Sequence, residues 1–358
     1  MEMEINGTNS AQTQELSLQG VVRAICISDR RGIEKHSVEE AHFIPDFGIE
    51  GDAHAGNWHR QVSLLSYDRV KAFNERGAGV IDGAFGENLV VEGLDFRNLP
   101  VGTRLYAGTV ELEMTQIGKE CHSHCAIFKR MGECIMPTQG VFAQVLKEGI
   151  IRPGDEMKAV LPAADRPFTA AVITLSDKGF KGEREDESGP AAKAMLEEAG
   201  YRVVELLLLP DEPEQLKRQL IRLADGRQVD LVLTSGGTGF SLRDQTPEAT
   251  LAVADRNAPG IAEAIRNESA KITKRAMLSR GVSVIRKGTL IVNLPGSPKA
   301  VRESLGFILD TLEHGLKAVS YTHLDVYKRQ RQHHVHREPA QRHGGILHVP
   351  AHRGPADP

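Results

Sequence analysis

The pattern of apolar and polar residues changes near the middle of the chain. Before residue 161 it consists of short alternating runs such as VGTRLYAG and TVELEMTQ, which predict β-strands, and Gly108 between them predicts a hairpin turn. Helical spacing is limited to stretches such as SYDRVKAFNERG, where Val70 and Phe73 lie three residues apart. This part of the chain therefore predicts a β-rich barrel or sandwich with one or two helices.

After residue 168 strands alternate with helices. FTAAVITL, YRVVELLLL, VDLVLTS and GTLIVNL are nearly continuous apolar runs separated by amphipathic stretches, which predicts a parallel sheet covered on both faces. Pro190 and Pro213 suit the first turns of two helices, and SPKAVRESLGFILDTLEHGLKAV predicts one terminal helix. We therefore expect a doubly wound α/β domain.

The stretch LPAADRPF at 161–168 interrupts both patterns and predicts a linker. We place one domain at 19–160 and a second at 168–319. From 320 onward, half of the 14 histidines are mixed with Arg, Pro and Gly without apolar periodicity. A His-rich metal-binding tail is one interpretation. The string SYTHLDVYKRQ, however, resembles a recurrent spurious ending of assembled environmental sequences, so we expect 320–358 to be non-native or disordered.

Length and charge narrow the class of protein. A chain of 358 residues accommodates about two domains, and a formal charge of −4 without a basic face disfavours nucleic acid as a partner. No apolar run approaches the length of a membrane span, and the polar start MEMEINGTNSAQTQ does not resemble a signal peptide. We expect a cytoplasmic protein, in which four cysteines are available for reactive or metal-binding roles.

The strand VDLVLTS ends in the glycine-rich stretch TSGGTG at 234–239, followed by Asp244. Glycines let backbone N–H groups approach an anion, and the helix expected near Thr246 adds a favourable dipole. An acid just past such a loop suits Mg²⁺ on polyphosphate oxygens, and Asp211 follows the neighbouring strand at the same end. The two carboxylates could share one metal; alternatively, Asp211 is an acid of a helix start and Asp244 a solvated loop residue.

Two more strand ends carry Gly, Ser, Pro or Asp. One bears Ser176 and Asp177 and leads to the DESGP segment, and the other continues into NLPGSP at 293–298. Each could be only a turn with a cap. Together, however, LSD, DESGP, LPD, TSGGTG, RDQTPE and NLPGSP, in this order, resemble the molybdopterin adenylyltransferase family (MogA/MoaB-like).

The resemblance implies a site and a reaction. It implies transfer of AMP from Mg·ATP to molybdopterin, with Asp211 and Asp244 as the catalytic and metal-binding acids. The resemblance also implies a set of binding residues, which we extend to the polar loop residues at the same strand ends. This set is Ser176, Asp177, Asp186, Ser188, Gly189, Ser235, Gly236, Gly237, Thr238, Gly239, Glu248, Pro295, Gly296 and Ser297. The resemblance further implies a trimer and other molybdenum cofactor biosynthesis proteins as partners.

The first domain carries an unusual cysteine segment, KECHSHCAIF at 119–128. Cys121 and Cys125, with interleaved histidines and Cys134 nearby, could form a zinc site, a pair of buried inert thiols, or a reactive thiol whose pKa is lowered by His and Lys119. GIEGDAHAG, VSLL, GENL, PVGTRL and this segment resemble the MOSC domain, which implies a β-barrel that binds pterin cofactor. The resemblance further implies that Cys121 or Cys125, with a preference for Cys125, carries sulfur or ligates molybdenum.

Two domains from one pathway point to molybdenum cofactor maturation. We expect a Mg²⁺-dependent enzyme using ATP and molybdopterin, without nucleic acid or membrane as partner. The alternatives are a carrier or scaffold that holds molybdopterin without turnover, and a reductase of N-hydroxylated compounds based on the first domain.

Overall fold

The computed structural model describes residues 17–121 and 125–319. The cysteine segment is therefore described except for residues 122–124, and the tail lies outside the described residues. Along the described ranges no helix combines the length and apolarity needed to cross a bilayer.

Short strands dominate the first half, as its alternating pattern predicts. The strands are β1 (Ser17–Ile27), β2 (His36–Val38), β3 (Ala41–Ile44), β4 (Gly48–Ile49), β5 (Val62–Ser66), β6 (Leu89–Glu92), β7 (Arg104–Ala107), β8 (Val110–Ile117), β9 (Val141–Lys147), β10 (Gly149–Ile151) and β11 (Glu156–Val160). The helices are α1 (Tyr67–Glu75), α2 (Ala126–Met131) and α3 (Met136–Gln139). The predicted hairpin is present: β7 and β8 pair antiparallel across Gly108, whose φ of 57° favours glycine.

Seven of these strands close into a barrel. Their order is β1, β11, β7, β8, β9, β5, β6 and back to β1, with β2 added outside β1. Neighbours are antiparallel except for the parallel pair β5–β6. Inward residues such as Ile25, Leu64, Leu112 and Met114 fill the interior, while α1 and α2 pack over a smaller cluster around Phe73 and Ile127.

The second half alternates strands and helices. Its strands are β12 (Thr169–Leu175), β13 (Arg202–Leu209), β14 (Leu231–Ser235), β15 (Arg256–Asn257), β16 (Ser283–Arg286) and β17 (Thr289–Leu294). As far as Gly306 its α-helices are α4 (Asp177–Phe180), α5 (Ser188–Glu198), α6 (Pro213–Ile221), α7 (Thr246–Ala252), α8 (Pro259–Ile272) and α9 (Pro298–Gly306). The sheet order is β13, β12, β14, β17, β16, β15. The first four strands are parallel to one another, β16 is antiparallel to β17, and β15 is antiparallel to β16.

Helices cover both faces of this sheet, because successive strand residues point to opposite sides. Val172 packs with α5, α8 and α9, whereas the next residue, Ile173, packs with α6 and α7. Both faces of the central strands are buried, which explains their nearly continuous apolar sequences. The predicted fold class, a β-barrel followed by a doubly wound α/β domain, is confirmed.

Two elements differ from expectation. The single terminal helix is wrong: α9 ends at Gly306, and a second helix occupies residues 309–319. Glycine has low helix propensity, and the break lets Leu305 and Leu312 pack in the same cluster. The stretch EPEQLKRQLIRLA is helical through Ile221 and continues as a π-helical turn, Arg222–Gly226.

Residues 161–168 connect β11 to β12 and, within this stretch, form neither helix nor strand. The position agrees with the linker predicted from the sequence, and the domain limits themselves stay a prediction.

Candidate functional site

The C-terminal ends of β12, β13, β14 and β17 meet at one edge of the sheet, which we call the rim. It consists of the segments 176–177, 210–212, 235–239 and 293–297, with the loop 240–246 and the start of α5 beside them. Because ligands of open parallel sheets bind beyond these strand ends, the rim is the candidate site.

The TSGGTG loop approaches its neighbours too closely for a side chain. Gly236 and Gly237 have φ of 103° and 63°, and a Cβ on Gly237 would lie 2.3 Å from Thr246 Oγ1. A Cβ on Gly236 would lie 2.4 Å from the carbonyl oxygen of Leu175. Only glycine fits this turn, so the backbone itself lines the position where an anion would bind.

Hydrogen bonds join the loops of different strands. The Ser188 hydroxyl donates to the Gly296 carbonyl at 2.9 Å, and the Ser235 hydroxyl donates to the Pro295 carbonyl at 3.0 Å. Thus α5 and β14 both attach to the NLPGSP segment. These bonds position the loops without using backbone N–H donors.

Some predicted binding residues have local capping partners. Asp186 accepts N–H bonds from Ser188 and Gly189, and Ser297 accepts one from Ala300 at the start of α9. Ser176 similarly accepts from Gly179. These contacts agree with the simpler interpretation of turns and caps at these positions, while their location keeps them at the rim.

Acids gather next to the glycine loop. Asp211 Oδ1 lies 3.5 Å from the position of a Cβ on Gly237, and Asp244 Oδ2 lies 2.9 Å from that on Gly239. Asp177 and Asp211 exchange bonds: the Asp177 N–H donates to Asp211 Oδ2 at 2.9 Å, and the Asp211 N–H donates to Asp177 Oδ1 at 3.0 Å. The predicted pair is therefore extended by a third carboxylate.

The acids differ in their electrostatics. Burial raises the pKa of Asp211, and the charges of Asp177 and Asp244 raise it further, against the hydrogen bond from the Asp177 N–H. The Asp211 N–H and the Arg243 guanidinium hold the pKa of Asp177 below its usual value. A cation at the rim would favour the ionised form of Asp211.

Carboxylate oxygens are the ligands that Mg²⁺ prefers, and Asp211 and Asp244 present them next to the glycine turn. Within 17–121 and 125–319, no group of three His, Cys, Asp or Glu side chains has the arrangement of a complete metal site. A site shared between the protein and substrate phosphates needs fewer protein ligands, because Mg²⁺ commonly keeps waters and binds one or two carboxylates. Asp211 and Asp244 fit that role.

Arg243 and Arg280 lie at the rim and were not predicted from sequence. Arg243 contacts Asp177 through Nε at 3.2 Å and Nη2 at 2.9 Å, and contacts Glu212 through Nη1 at 2.9 Å. Arg280 donates to the Gly239 carbonyl at 2.7 Å, bonds the Asp244 carbonyl and pairs with Glu248. Glu248 is thus held by an arginine. Arg243 lies in the RDQTPE motif and Arg280 just before β16, but their partners lie on other loops and helix starts.

The barrel holds a second set of buried polar groups: Asp52 in the GIEGDAHAG segment, Glu87 in the GENL segment, and Lys35 directly before β2. Lys35 pairs with Asp52 at 2.8 Å, with both side chains almost fully buried. Burial opposes the charge of Asp52, yet bonds from His54 and Lys35 hold its pKa below the usual value. Glu87 is fully buried and accepts N–H bonds from Gly83 at 2.8 Å and Phe85 at 2.9 Å. These groups fix the loops at one end of the barrel.

Cys121 and Cys125 are both exposed near this end, Cys125 directly before α2. Cys134 is half-buried, and burial raises its pKa, with Cys125, Cys121 and Glu87 near enough to raise it further. The interleaved His122 and His124 lie outside the described residues. The interpretation of Cys121 and Cys125 as buried thiols is not supported, and the choice between a reactive thiol and zinc stays a prediction.

Comparison with known proteins assigns both halves. The family described as "Probable molybdopterin binding domain" matches residues 171–314, and the MOSC domain matches residues 51–158. A Haemophilus influenzae molybdopterin adenylyltransferase is 45% identical over 141 residues, 39% of this chain and 72% of that protein. The same-named protein of Helicobacter pylori (strain ATCC 700392 / 26695) is 37% identical over 163 residues, 45% of this chain and 93% of that protein. The solved structure of the molybdopterin biosynthesis enzyme MoaB from Thermus thermophilus has 47% identity, with a TM-score of 0.41, over 42% of this chain and 96% of its own.

Proposed function

The chain belongs to the molybdopterin-binding domain family that includes the molybdopterin adenylyltransferases, and from this we propose that its α/β domain transfers AMP from ATP to molybdopterin. The observation that supports the proposal most directly is the position of Asp211 and Asp244 against the TSGGTG loop. Backbone donors for phosphates and carboxylates for a cation lie side by side there, as nucleotidyl transfer requires.

In the proposed reaction, a phosphate oxygen of molybdopterin attacks the α-phosphorus of ATP. A new P–O bond forms, the bond from the α-phosphorus to the oxygen bridging to the β-phosphate breaks, and pyrophosphate leaves with that electron pair. The attacking phosphate is already ionised at pH 7, so the protein needs no strong base. Its contribution is to position the two substrates and to compensate charge.

Each group of rim residues has a part in this proposal. The backbone of Gly237 and Gly239 would bind phosphate oxygens, whereas the Gly236 N–H donates to the Leu294 carbonyl at 3.3 Å and holds the turn. The NLPGSP and DESGP loops would complete the pocket. Asp211 and Asp244 would hold Mg²⁺, which, when bound, neutralises phosphate charge. Without the cation these carboxylates would repel the phosphates, so their contribution to phosphate binding depends on the bound cation.

Pyrophosphate release tests the proposal. Purified protein with ATP, Mg²⁺ and molybdopterin should release pyrophosphate, and Asp211→Asn and Asp244→Asn should each lower the rate by ~10²–10³-fold, as expected for the loss of one transition-state electrostatic contact. Asp165→Asn, a charge change at an exposed linker position, is the matched control. Molybdopterin binding should persist in the rim variants. Binding without pyrophosphate release in the unaltered protein would instead support a carrier or scaffold.

For the barrel we propose binding of the pterin cofactor, with Cys125 or Cys121 carrying sulfur or ligating molybdenum. The supporting observation is that both thiols are exposed beside loops fixed by Lys35, Asp52 and Glu87. Thiolates are the form that carries out such chemistry, and exposed cysteines are available to a ligand. Copurified molybdenum together with reductase activity on N-hydroxylated compounds, lost in Cys125→Ser, would favour the reductase alternative. A trimer of the α/β domain, and contacts with other cofactor biosynthesis proteins, belong to the proposal for that domain.

A further inference from the structure

Arg243 is hydrogen-bonded to acidic side chains at the rim. Its guanidinium bonds Asp177 through two nitrogens and Glu212 through the third, and Asp177 is bonded in turn to Asp211. The proposed Mg²⁺ would bind in the midst of these carboxylates. Two cations then compete for the same negative charge, so metal binding should weaken the hold of the acids on Arg243.

The arginine has freedom to change partners. Its side chain is 52% exposed. Two other residues of the same loop, Phe240 and Leu242, are 70% and 93% exposed. The start of this loop is Gly239, the last glycine of the turn proposed to bind phosphates. The guanidinium of Arg243 is therefore tethered next to the proposed phosphate position. Arginine binds phosphate oxygens with two parallel N–H bonds, a geometry that a carboxylate pair also satisfies.

We propose that Arg243 is a phosphate-binding residue that exchanges its carboxylate partners for the polyphosphate of ATP, or for the pyrophosphate leaving group, when the metal binds the rim. The inference rests on the proposed function. In the metal-free protein Arg243 neutralises part of the charge of the acids. In the loaded site the same side chain compensates the charge that develops on the departing pyrophosphate.

The proposal predicts effects of opposite sign on two ligands. Arg243→Gln removes the cation that competes for Asp177, so Mn²⁺, used as a paramagnetic probe of the Mg²⁺ site, should bind more tightly. The same variant lacks the phosphate partner, so pyrophosphate in the presence of Mg²⁺ should bind about tenfold or more weakly, as for the loss of charge-assisted hydrogen bonds. A purely structural arginine would not produce opposite shifts.

The measurements use the full chain without molybdopterin. Electron paramagnetic resonance reports bound Mn²⁺, and isothermal titration reports pyrophosphate binding. Arg218→Gln, on the exposed side of α6, makes the same charge change in the same domain and should leave both affinities unaltered. Arg243→Lys keeps the charge but not the planar guanidinium, and should recover only part of the pyrophosphate affinity.

Weaker Mn²⁺ binding in Arg243→Gln would overturn the exchange, because it would show that the arginine is needed to hold the acids in a metal-binding arrangement. Unaltered pyrophosphate binding would likewise overturn it. If Arg243→Gln does not fold, Arg243→Lys decides: weaker pyrophosphate binding with Mn²⁺ affinity close to that of the unaltered protein supports the exchange, and unaltered pyrophosphate binding overturns it. Failure of the proposed AMP transfer is detected separately, as absence of pyrophosphate release from the unaltered protein with molybdopterin.

Discussion

The four cysteines have very different surroundings. Cys26 lies in β1 without solvent exposure, and burial raises its pKa to about 11. Cys121 and Cys125 are exposed, and Cys134 is half-buried. A thiol reacts as its thiolate and only when a reagent reaches it. Cys26 is therefore an internal reference for the reactivity of the other three.

We expect Cys121 or Cys125 to be alkylated faster than Cys26 at pH 7, because both are exposed and Cys26 is buried with a raised pKa. Mass spectrometry after timed iodoacetamide treatment gives a rate for each cysteine, and the single variants Cys121→Ser and Cys125→Ser identify which thiol reacts. Slow labelling of all four at one rate would contradict the prediction. Stoichiometric zinc that protects Cys121 and Cys125 would establish the metal site instead.

Glu87 should make the stability of the barrel depend on pH. Burial raises the pKa of its carboxyl from 4.5 to about 7, although the Gly83 and Phe85 N–H groups favour the charged form. Because the folded-state pKa is the higher one, the contribution of Glu87 to stability is complete below about pH 4.5 and is lost as the pH rises through about 7. The loss should approach about 3 kcal/mol, at about 1.4 kcal/mol for each unit of pKa.

Glu87→Gln should therefore flatten the decrease in the free energy of unfolding between pH 4.5 and 7. Urea unfolding can be followed by the fluorescence of Trp58, the single tryptophan, which lies in the barrel. The variant also replaces one acceptor oxygen by an amide group, so its stability at pH 5 should be lower. Glu75→Gln, at an exposed position of α1, is the control for a general charge effect. Equal pH dependence in Glu87→Gln and the unaltered protein would refute the prediction.

At the scale of elements, Arg280 connects the strand-end segments of the rim. It precedes β16 and reaches the TSGGTG loop at Gly239, the Asp244 carbonyl and Glu248 of α7. One side chain thus fixes the turn that presents the glycines and the loop that presents Asp244. Removing it should loosen the site while leaving the sheet intact.

We expect Arg280→Lys to lower the rate of pyrophosphate release by about 10²-fold, comparable to the effect of a small displacement of reacting groups, with little loss of stability. A lysine carries its N–H groups on one nitrogen, so it cannot reach three acceptors that are spread around a planar guanidinium. Steady-state release and thermal unfolding on the same preparation separate the two effects. Arg256→Lys, at the exposed edge strand β15, is the control. A rate equal to that of the control would show that the loop holds its shape without Arg280.

The sequence predicted the strand-end acids and glycines of the rim, because in a parallel sheet the position of a residue after its strand determines its place in the fold. Asp211 and Asp244 were found in this way. Arg243 and Arg280 were not, because their partners lie 66 and 41 residues away in sequence and an exposed arginine carries no local signal. Two strand pairings were not predicted for the same reason: the parallel pair β5–β6 in the barrel and the antiparallel edge of the sheet. Pairing between distant strands leaves no periodicity in the sequence.

At the scale of the whole molecule, the two domains meet through polar contacts. Arg202 forms a forked ion pair with Glu113, at 2.7 and 3.2 Å, and Gln228 accepts the Val101 N–H at 2.9 Å. Each domain has its own apolar core, with the barrel cluster separate from the two clusters of the sheet. Interfaces of this kind stabilise an arrangement without supplying the core of either partner.

Fragments divided between residues 163 and 164 should each unfold cooperatively. The division matters because Arg166 in the linker forms a forked ion pair with Asp230, at 2.8 and 3.0 Å, and the Asp230 side chain is almost fully buried. Asp230 also accepts the N–H and hydroxyl of Thr169. A second fragment beginning at 167 keeps the Thr169 bonds but loses Arg166, so we expect it to be less stable by about 1–2 kcal/mol than one beginning at 164, since Arg166 is itself partly exposed.

Urea unfolding followed by far-ultraviolet circular dichroism measures both second fragments, and Trp58 fluorescence follows the first. Arg166→Gln within the fragment from 164 should reproduce the loss, which ties it to the ion pair and not to chain length. Equal stability of the fragments that begin at 164 and at 167 would place Arg166 outside the folded unit. The absence of a cooperative transition in either half would mean that the polar contacts of Arg202 and Gln228 are essential for folding, and that the barrel and the sheet form one unit.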